Sequence, residues 1–296
     1  MLAGEYVVLD GAPAVLVAID RRARAAIPAG TGGPAPAEGG LLDAVCATLG
    51  VSPPRGIVLD SRAFGADAAG SRVKLGLGSS AALAVALCRL LLPAATLPRD
   101  VFEAAFAAHR RFQGGVGSGA DVAASLAGGV LSFRMAGKEA GAGSVRLAWP
   151  AGLAWAAWWS GVPASTPERV ARFTASGPSP ERERLAAAAD AVTLAWQGGA
   201  ETLLAEFVRY VEVLQAFDRR HGLGIFAAGH DELAAAARRC GALYKPCGAG
   251  GGDVGIALAT TPAALRRFGR AAAERGFRPL DLAVDERGAV LDEPRE

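Results

Sequence analysis

One segment constrains this chain more than any other: Lys74-Leu-Gly-Leu-Gly-Ser-Ser-Ala-Ala82. Gly76 and Gly78 leave backbone N–H groups open to close approach, and residues 80–92 that follow are apolar on almost every face, which predicts a buried helix. A helix start carries unpaired N–H donors and the positive end of the helix dipole. Glycine loop and helix start together predict an anion site suited to phosphates. Ser79 and Ser80 add hydroxyls that can cap the helix, and Ser80 is placed to reach a Mg²⁺ ion. The segment also satisfies GxGxxA, a weak dinucleotide pattern. It lies far from the N-terminus, however, and the nearest acidic residue downstream, Asp100, follows Pro98 in a loop and does not end a strand. Neither GxxxxGK[ST] nor GxSxG occurs.

Two further glycine clusters accompany the first. Gln113-Gly-Gly-Val-Gly-Ser-Gly-Ala-Asp-Val122 places Asp121 at the start of a predicted helix. A helix cap accounts for Asp121 taken alone equally well, but the run of glycines with Ser118 before it exceeds what a cap needs. That run points to a ligand passing close to the backbone, with Asp121 facing it. Lys245-Pro-Cys-Gly-Ala-Gly-Gly-Gly-Asp253 then leads into a predicted strand at 254–259, with Asp253 as a turn residue. Consecutive glycines are entropically costly, so a loop of this kind is expected to be functional. The only lysines are Lys74, Lys138 and Lys245, and the first and last lie within three residues of a glycine loop. Lysine is a compact point charge suited to phosphate, so both are candidate phosphate cations.

The remaining pattern sets the class. The chain has 296 residues, 51% hydrophobic, with a formal net charge of +2, which argues against disorder and against a general nucleic-acid partner. No apolar run is long enough for a membrane span, and no basic segment precedes an apolar one at the N-terminus. Cys46, Cys88, Cys240 and Cys247 form no CxxC and read as free thiols of a cytoplasmic protein. His109, His221 and His230 are too scattered for a metal centre, and His109 falls on the apolar face of its helix as a structural residue. The tryptophans at 155, 158 and 159 read as core strand.

Periodicity and breakers predict strands at 6–9, 14–19, 56–60, 130–134, 145–149, 153–159, 254–259 and 278–284. Helices are expected at 41–49, 80–92, 101–112, from 121, and at 166–174, 181–196, 200–220, 230–239 and 262–275, with loops at 29–40 and 61–71. A change of character after Trp159 sets a boundary that divides the chain into 1–155 and 156–296.

Taken together, these segments resemble the GHMP kinases. Leu2-Ala-Gly-Glu-Tyr-Val-Val-Leu-Asp-Gly-Ala-Pro-Ala14, Gly76-Leu-Gly-Ser-Ser-Ala-Ala82 and the segment from Cys247 to Gly255 are similar to that family's three signatures, in order and spacing, across nearly the whole chain. The resemblance implies a two-domain α+β kinase with its active site in the cleft between domains, a ferredoxin-like α+β C-terminal domain, and ATP with Mg²⁺ as cofactors. Glu5-Tyr6, Gly115-Val-Gly-Ser-Gly-Ala-Asp-Val-Ala123 and Gly161-Val-Pro-Ala-Ser-Thr166 lean toward members that phosphorylate a phosphorylated small acid, 5-phosphomevalonate, with mevalonate as the alternative acceptor. By the same resemblance ATP is held by Gly76, Leu77, Gly78, Ser79, Ser80 and Ala81, with Ser80 on the metal. Asp121 and Lys74 are catalytic; substrate meets Glu5, Tyr6, Ser118, Gly119, Ser165, Thr166, Gly248, Ala249, Gly250 and Gly251. Arg110 and Arg111 stand behind Lys74 as cations that offset repulsion between phosphates. The expected protein is a cytoplasmic monomer or homodimer.

Two departures accompany the resemblance. The Pro-Gly-Lys that usually precedes Leu-Ala-Gly-Glu is not in a sequence that opens Met1-Leu2, and His109 stands near where related kinases use a metal-binding glutamate. An upstream start, substitution of the missing charge by Lys74, and a non-catalytic ligand-binding paralogue are therefore all open readings.

Overall fold

The structure is a computed structural model that describes residues 1–28, 40–68, 71–135, 143–164 and 166–292. Most of the expected 29–40 loop, and Ser165, lie outside the described residues. The chain divides into two compact units, each discontinuous in sequence: Met1–Val17 with Val130–Ala283, and Ala18–Gly129 with Val284–Glu296. A cut at 155/156 runs inside the first of these. The reason is strand pairing: β1 (Ala14–Val17) aligns antiparallel with β6 (Val130–Arg134), which commits the N-terminal segment to the company of the C-terminal half.

The second unit (18–129 and 284–296) is mostly helical. α1 (Leu41–Leu49), α2 (Ser79–Leu91), α3 (Pro98–Phe112) and α4 (Ala120–Ala127) pack around Leu42, Val45, Val85, Leu87, Val101 and Val122. Alanines at 81, 105 and 108 join this core and let helix backbones approach closely. β2 (Arg24–Ala26) pairs with β3 (Val58–Asp60). The expected loop at 61–71 is instead a 3₁₀ turn, Arg62–Phe64, followed by a hairpin of β4 (Gly65–Ala68) and β5 (Ser71–Lys74). Buried Phe64 anchors that turn, and its carbonyl accepts the Leu75 N–H at 3.0 Å, fixing where the glycine loop begins. The segment after 283 returns to this unit. Asp285 exchanges backbone hydrogen bonds with Ala18 and Gly129 and pairs with Arg22.

In the first unit, β6 lies between β1 and β7 (Gly143–Leu147). A four-stranded antiparallel sheet follows, with β8 (Ala154–Trp159), β9 (Leu243–Pro246), β10 (Val254–Ala259) and β11 (Arg278–Leu280) in the order β11-β8-β10-β9. Its helices are α5 (Thr166–Ala175), α6 (Pro180–Ala195), α7 (Gly199–His221), α8 (His230–Arg239) and α9 (Pro262–Ala273). With α8 before β9 and α9 before β11, the order β8-α8-β9-β10-α9-β11 is a split β-α-β arrangement. Trp158 and Trp159 are buried on β8, Trp158 edge-on to Phe268. Strand β9 was not expected: a single turn of alternation beside a glycine loop carries little period-2 signal.

Residues 6–9, expected as a strand, form a 3₁₀ turn at Val7–Asp10. Tyr6 adopts φ 64, in the left-handed region, and Val8 N–H reaches Gly4 O at 3.0 Å, so the backbone here cannot extend.

Gly128 tests how firmly the returning tail is seated. Its φ is +72, and a Cβ there would overlap the backbones of Gly288 and Glu286. Gly128→Ala is expected to destabilise the protein by about 2 kcal/mol or more, from left-handed strain plus displacement of the tail, as measured by urea unfolding. A change below about 0.5 kcal/mol means that the tail does not pack there in solution.

Candidate functional site

In the helical unit the glycine loop leads directly into α2. Gly78 is the N-cap at φ 83, and among the described residues no side chain caps the helix. The expected capping by Ser79 or Ser80 is therefore corrected: both lie in the first turn, past the cap position. Helix α4 starts the same way, from Gly119 at φ 77, again with no side-chain cap. That excludes Asp121 as an N-cap. It lies in the first turn, its Oδ1 accepting the Val122 N–H at 2.9 Å, with 42% of the side chain exposed. A Cβ on Gly78 would lie 3.8 Å from the Asp121 Cβ, so the loop and the carboxylate are neighbours. Gly119 is itself required by packing, since a Cβ would overlap the Phe106 ring. Ser118 Oγ accepts the Ala120 N–H at 3.3 Å and shapes the turn before α4.

Between the two helix starts lies His109, a buried residue of α3. Its Nε2 is 2.9 Å from Ser80 Oγ, and its Nδ1 is 3.9 Å from Asp121 Oδ2. The apolar face of α3 accounts for the burial, but not for a ring with a polar partner on each side. Lys74 ends β5 with its side chain exposed. Arg110 holds the Gly115 carbonyl through two of its nitrogens, at 3.1 and 2.6 Å, and so shapes the 113–119 loop; Arg111 is exposed.

In the sheet unit the C-terminal glycine loop is fixed by its own carbonyls and packing. Tyr6 Oη donates to Ala249 O at 2.6 Å, Arg169 Nη2 to Gly251 O at 3.4 Å, and His230 Nε2 to Gly252 O at 3.0 Å. The Gly251 N–H is given to Ile225 O at 2.7 Å, and the Asp253 N–H to Val162 O at 2.7 Å. Gly250 and Gly251 are buried, and a Cβ on either would overlap Ile225 or the Arg169 guanidinium. Of the four expected substrate contacts here, only Gly248 and Ala249 keep exposed surface. Asp253 caps the 160–164 turn by accepting the Ala164 N–H, and burial raises its carboxyl above the usual range.

Glu5 and Lys245 form a buried pair. Lys245 Nζ lies 2.5 Å from Glu5 Oε1 and also donates to Pro246 O. Tyr210 Oη donates to Glu5 Oε2 and accepts the Gly4 N–H at 2.9 Å. Neither charged side chain has exposed surface. Lys245, expected as a phosphate cation, is instead spent inside the unit, and Glu5 balances it. Tyr6 is enclosed against Phe173 and Phe217, and burial pushes its phenol well above its ordinary pKa. Thr166 is exposed at the first residue of α5.

Residues 41–129 match the family model of the GHMP kinases N terminal domain. The phosphomevalonate kinase of Streptomyces sp. (strain CL190) is 34% identical over 214 residues, 62% of this chain. Residues 41–129 thus belong to a GHMP kinase N-terminal domain. The chain spans 57% of the length of that Streptomyces relative. The GHMP kinase fold extends over nearly all of it. The Lin0012 protein of Listeria innocua matches with a TM-score of 0.80 at 22% identity, covering 95% of this chain and 94% of that one. Streptococcus pneumoniae phosphomevalonate kinase in complex with phosphomevalonate and AMPPNP matches with a TM-score of 0.78 at 19% identity, covering 96% of each chain.

Of the three segments that resemble the family's signatures, 2–14 and 247–255 are joined by Tyr6–Ala249, with Glu5–Lys245 just ahead of the latter, while 76–82 lies with Asp121 and His109 in the helical unit. Sequence reasoning missed the Ser80–His109 contact, Arg169 and the roles of His230 and Tyr210. The usable signal was the Gly-Gly-Gly run, which demands close neighbours.

Two outcomes test the sheet unit. Glu5→Gln leaves the Lys245 ammonium buried without its counter-charge and is expected to cost about 3–5 kcal/mol in urea unfolding. A loss below 1 kcal/mol would show that water reaches the pair. His230 bears on acid stability. Burial first, then the Lys245 charge, lower its pKa from 6.5 to about 4, opposed by the Gly252 hydrogen bond. The unfolded chain therefore binds the extra proton between those values. The stabilisation is complete above pH 6.5 and is lost as pH falls toward 4, amounting to roughly 3 kcal/mol. In His230→Gln, the fall in urea midpoint between pH 7 and pH 4.5 is expected to be visibly shallower than in the parent.

Proposed function

We propose that this chain transfers the γ-phosphoryl group of ATP to the phosphate of 5-phosphomevalonate, giving the diphosphate. The observation that carries the reading is local: the uncapped N-terminus of α2, its glycine loop and the Asp121 carboxylate are immediate neighbours in one unit. A glycine loop before an uncapped helix start suits a polyphosphate, and phosphoryl transfer needs positioning and charge neutralisation more than covalent chemistry. The choice of acceptor draws support from the phosphomevalonate kinase of Streptomyces, at 34% identity.

In this reading residues 76–81 hold the triphosphate. Among the described residues no three His, Cys, Asp or Glu side chains gather to hold a metal on their own. The donor set nonetheless fits Mg²⁺ delivered with a nucleotide, because that ion takes only one or two protein oxygens and fills its shell with phosphates and water. The Ser80 hydroxyl and the half-exposed Asp121 carboxylate, on either side of the His109 ring, supply them. When bound, Mg²⁺ neutralises charge on the phosphoryl group being transferred. Lys74, and Arg111 behind it, offset repulsion between donor and acceptor phosphates. In the helical unit, Ser118 and Gly119 supply hydrogen-bonding surface for the acid.

A phosphate acceptor is already anionic at neutral pH, so Asp121 orients and needs no proton. An alcohol acceptor would need Asp121 as general base, a contribution typically of ~100-fold or more. With 5-phosphomevalonate, Asp121→Asn is expected to lower turnover on the order of 10-fold in an ADP-release assay. Turnover on mevalonate with none on phosphomevalonate overturns the acceptor, and ATP binding without turnover on any acceptor overturns the activity.

A further inference from the structure

His109 is not explained by the reading above. It is buried, with only 3% of its side chain exposed, yet both ring nitrogens face polar groups from other elements. Ser80 Oγ of α2 lies at 2.9 Å from Nε2, and Asp121 Oδ2 of α4 lies at 3.9 Å from Nδ1. A neutral imidazole carries one N–H and one lone pair, and the neighbour of one nitrogen settles which is which. Among the described residues the anion facing this ring's edge is the Asp121 carboxylate, which favours the N–H on Nδ1. Nε2 is then the acceptor, and the hydrogen bond to it uses the single proton of Ser80.

That assignment decides what Ser80 can do. A hydroxyl whose proton is given to a buried nitrogen has only lone pairs left to present to solvent. A free serine in the first turn of a helix would instead turn its O–H toward a phosphate oxygen. We propose that His109 is a positioning residue that fixes the Ser80 hydroxyl as an acceptor, so that the start of α2 offers an oxygen lone pair to the cation accompanying a nucleotide and not a proton to its phosphates. The inference deepens the kinase reading and rests on it. His109 touches neither nucleotide nor acceptor; it acts through Ser80, with Asp121 setting its tautomer.

The same geometry predicts how the three side chains depend on one another. Removing the ring frees the Ser80 proton, so affinity for metal-free nucleotide should hold or rise while the gain from Mg²⁺ falls. Gln at 109 can place an amide oxygen near the position of Nε2 and should keep Ser80 oriented. Ser80→Ala removes the group acted on, so that altering His109 in that background should add nothing.

The test is titration calorimetry with AMPPNP, with Mg²⁺ and with EDTA, on the parent, His109→Phe, His109→Gln, Ser80→Ala and the His109→Phe/Ser80→Ala double variant. Thermal melts confirm that each is folded. The expected result is a Mg²⁺-dependent gain in affinity reduced about tenfold in His109→Phe, largely restored in His109→Gln, and equal in the Ser80→Ala single and double variants. An undiminished gain in folded His109→Phe, or an equal loss in His109→Gln, overturns the proposal and leaves the kinase reading standing. Additive losses in the double variant overturn it also, by showing that His109 acts other than through Ser80. If His109→Phe does not fold, the Gln and Ala variants decide: loss in Ser80→Ala with retention in His109→Gln supports the proposal, and any other pattern overturns it. Absence of AMPPNP binding by the parent protein overturns the kinase reading and this proposal with it.

Discussion

An ammonium group with no solvent exposure has to be neutralised inside the fold, and the sheet unit is arranged around that need at Lys245. Its partner, Glu5, comes from the other end of the chain, 240 residues away in sequence. The bond brings the N-terminal segment against β9, and Tyr210 closes the remaining side of the carboxylate. Such a pair adds little net stability, because desolvation offsets most of its Coulomb energy. Its effect is selective: any arrangement that leaves either charge unpaired is heavily penalised. Next to Glu5, Tyr6 adopts a positive φ of 64, and its hydroxyl meets the Ala249 carbonyl. The glycine loop at 248–252 thus takes its shape partly from residues at the start of the chain.

The helical unit solves a different problem. Helices α2 and α4 both begin at a left-handed glycine in the N-cap position. At α2 a capping oxygen would have occupied first-turn N–H groups that a ligand anion can otherwise use, whereas at α4 Ser118 Oγ and Asp121 Oδ1 already accept the Ala120 and Val122 N–H groups. At α2 the Ser80 hydroxyl is employed with His109. Glycine here supplies the turn and the close approach, as at Gly78 beside Asp121.

Much of this was legible in the residues. The helix at 41–49 matches its periodicity end to end, and α3, α6, α7 and α9 differ from expectation by a few residues at their ends. The position of Asp121 at a helix start beside a glycine loop was also readable. The exceptions share a cause. The 6–9 segment has the composition of a strand but is governed by the Glu5 and Tyr6 contacts, and the 61–71 segment lacked enough alternation to reveal its hairpin. Lys245 was legible as a special cation but not as a neutralised one, because its partner cannot be identified from local sequence.

The helices, the three glycine loops and the family likeness follow from the order of residues, since these depend on spacing within a few turns of chain. Folding in three dimensions was needed to join Val130–Ala283 to Met1–Val17, to return the 284–292 tail to the helical unit, and to set His109 between Ser80 and Asp121. The physical reason is that burial and pairing energies act between groups close in space, whatever their separation along the chain. One sequence records which residues need a partner but not which partner they receive.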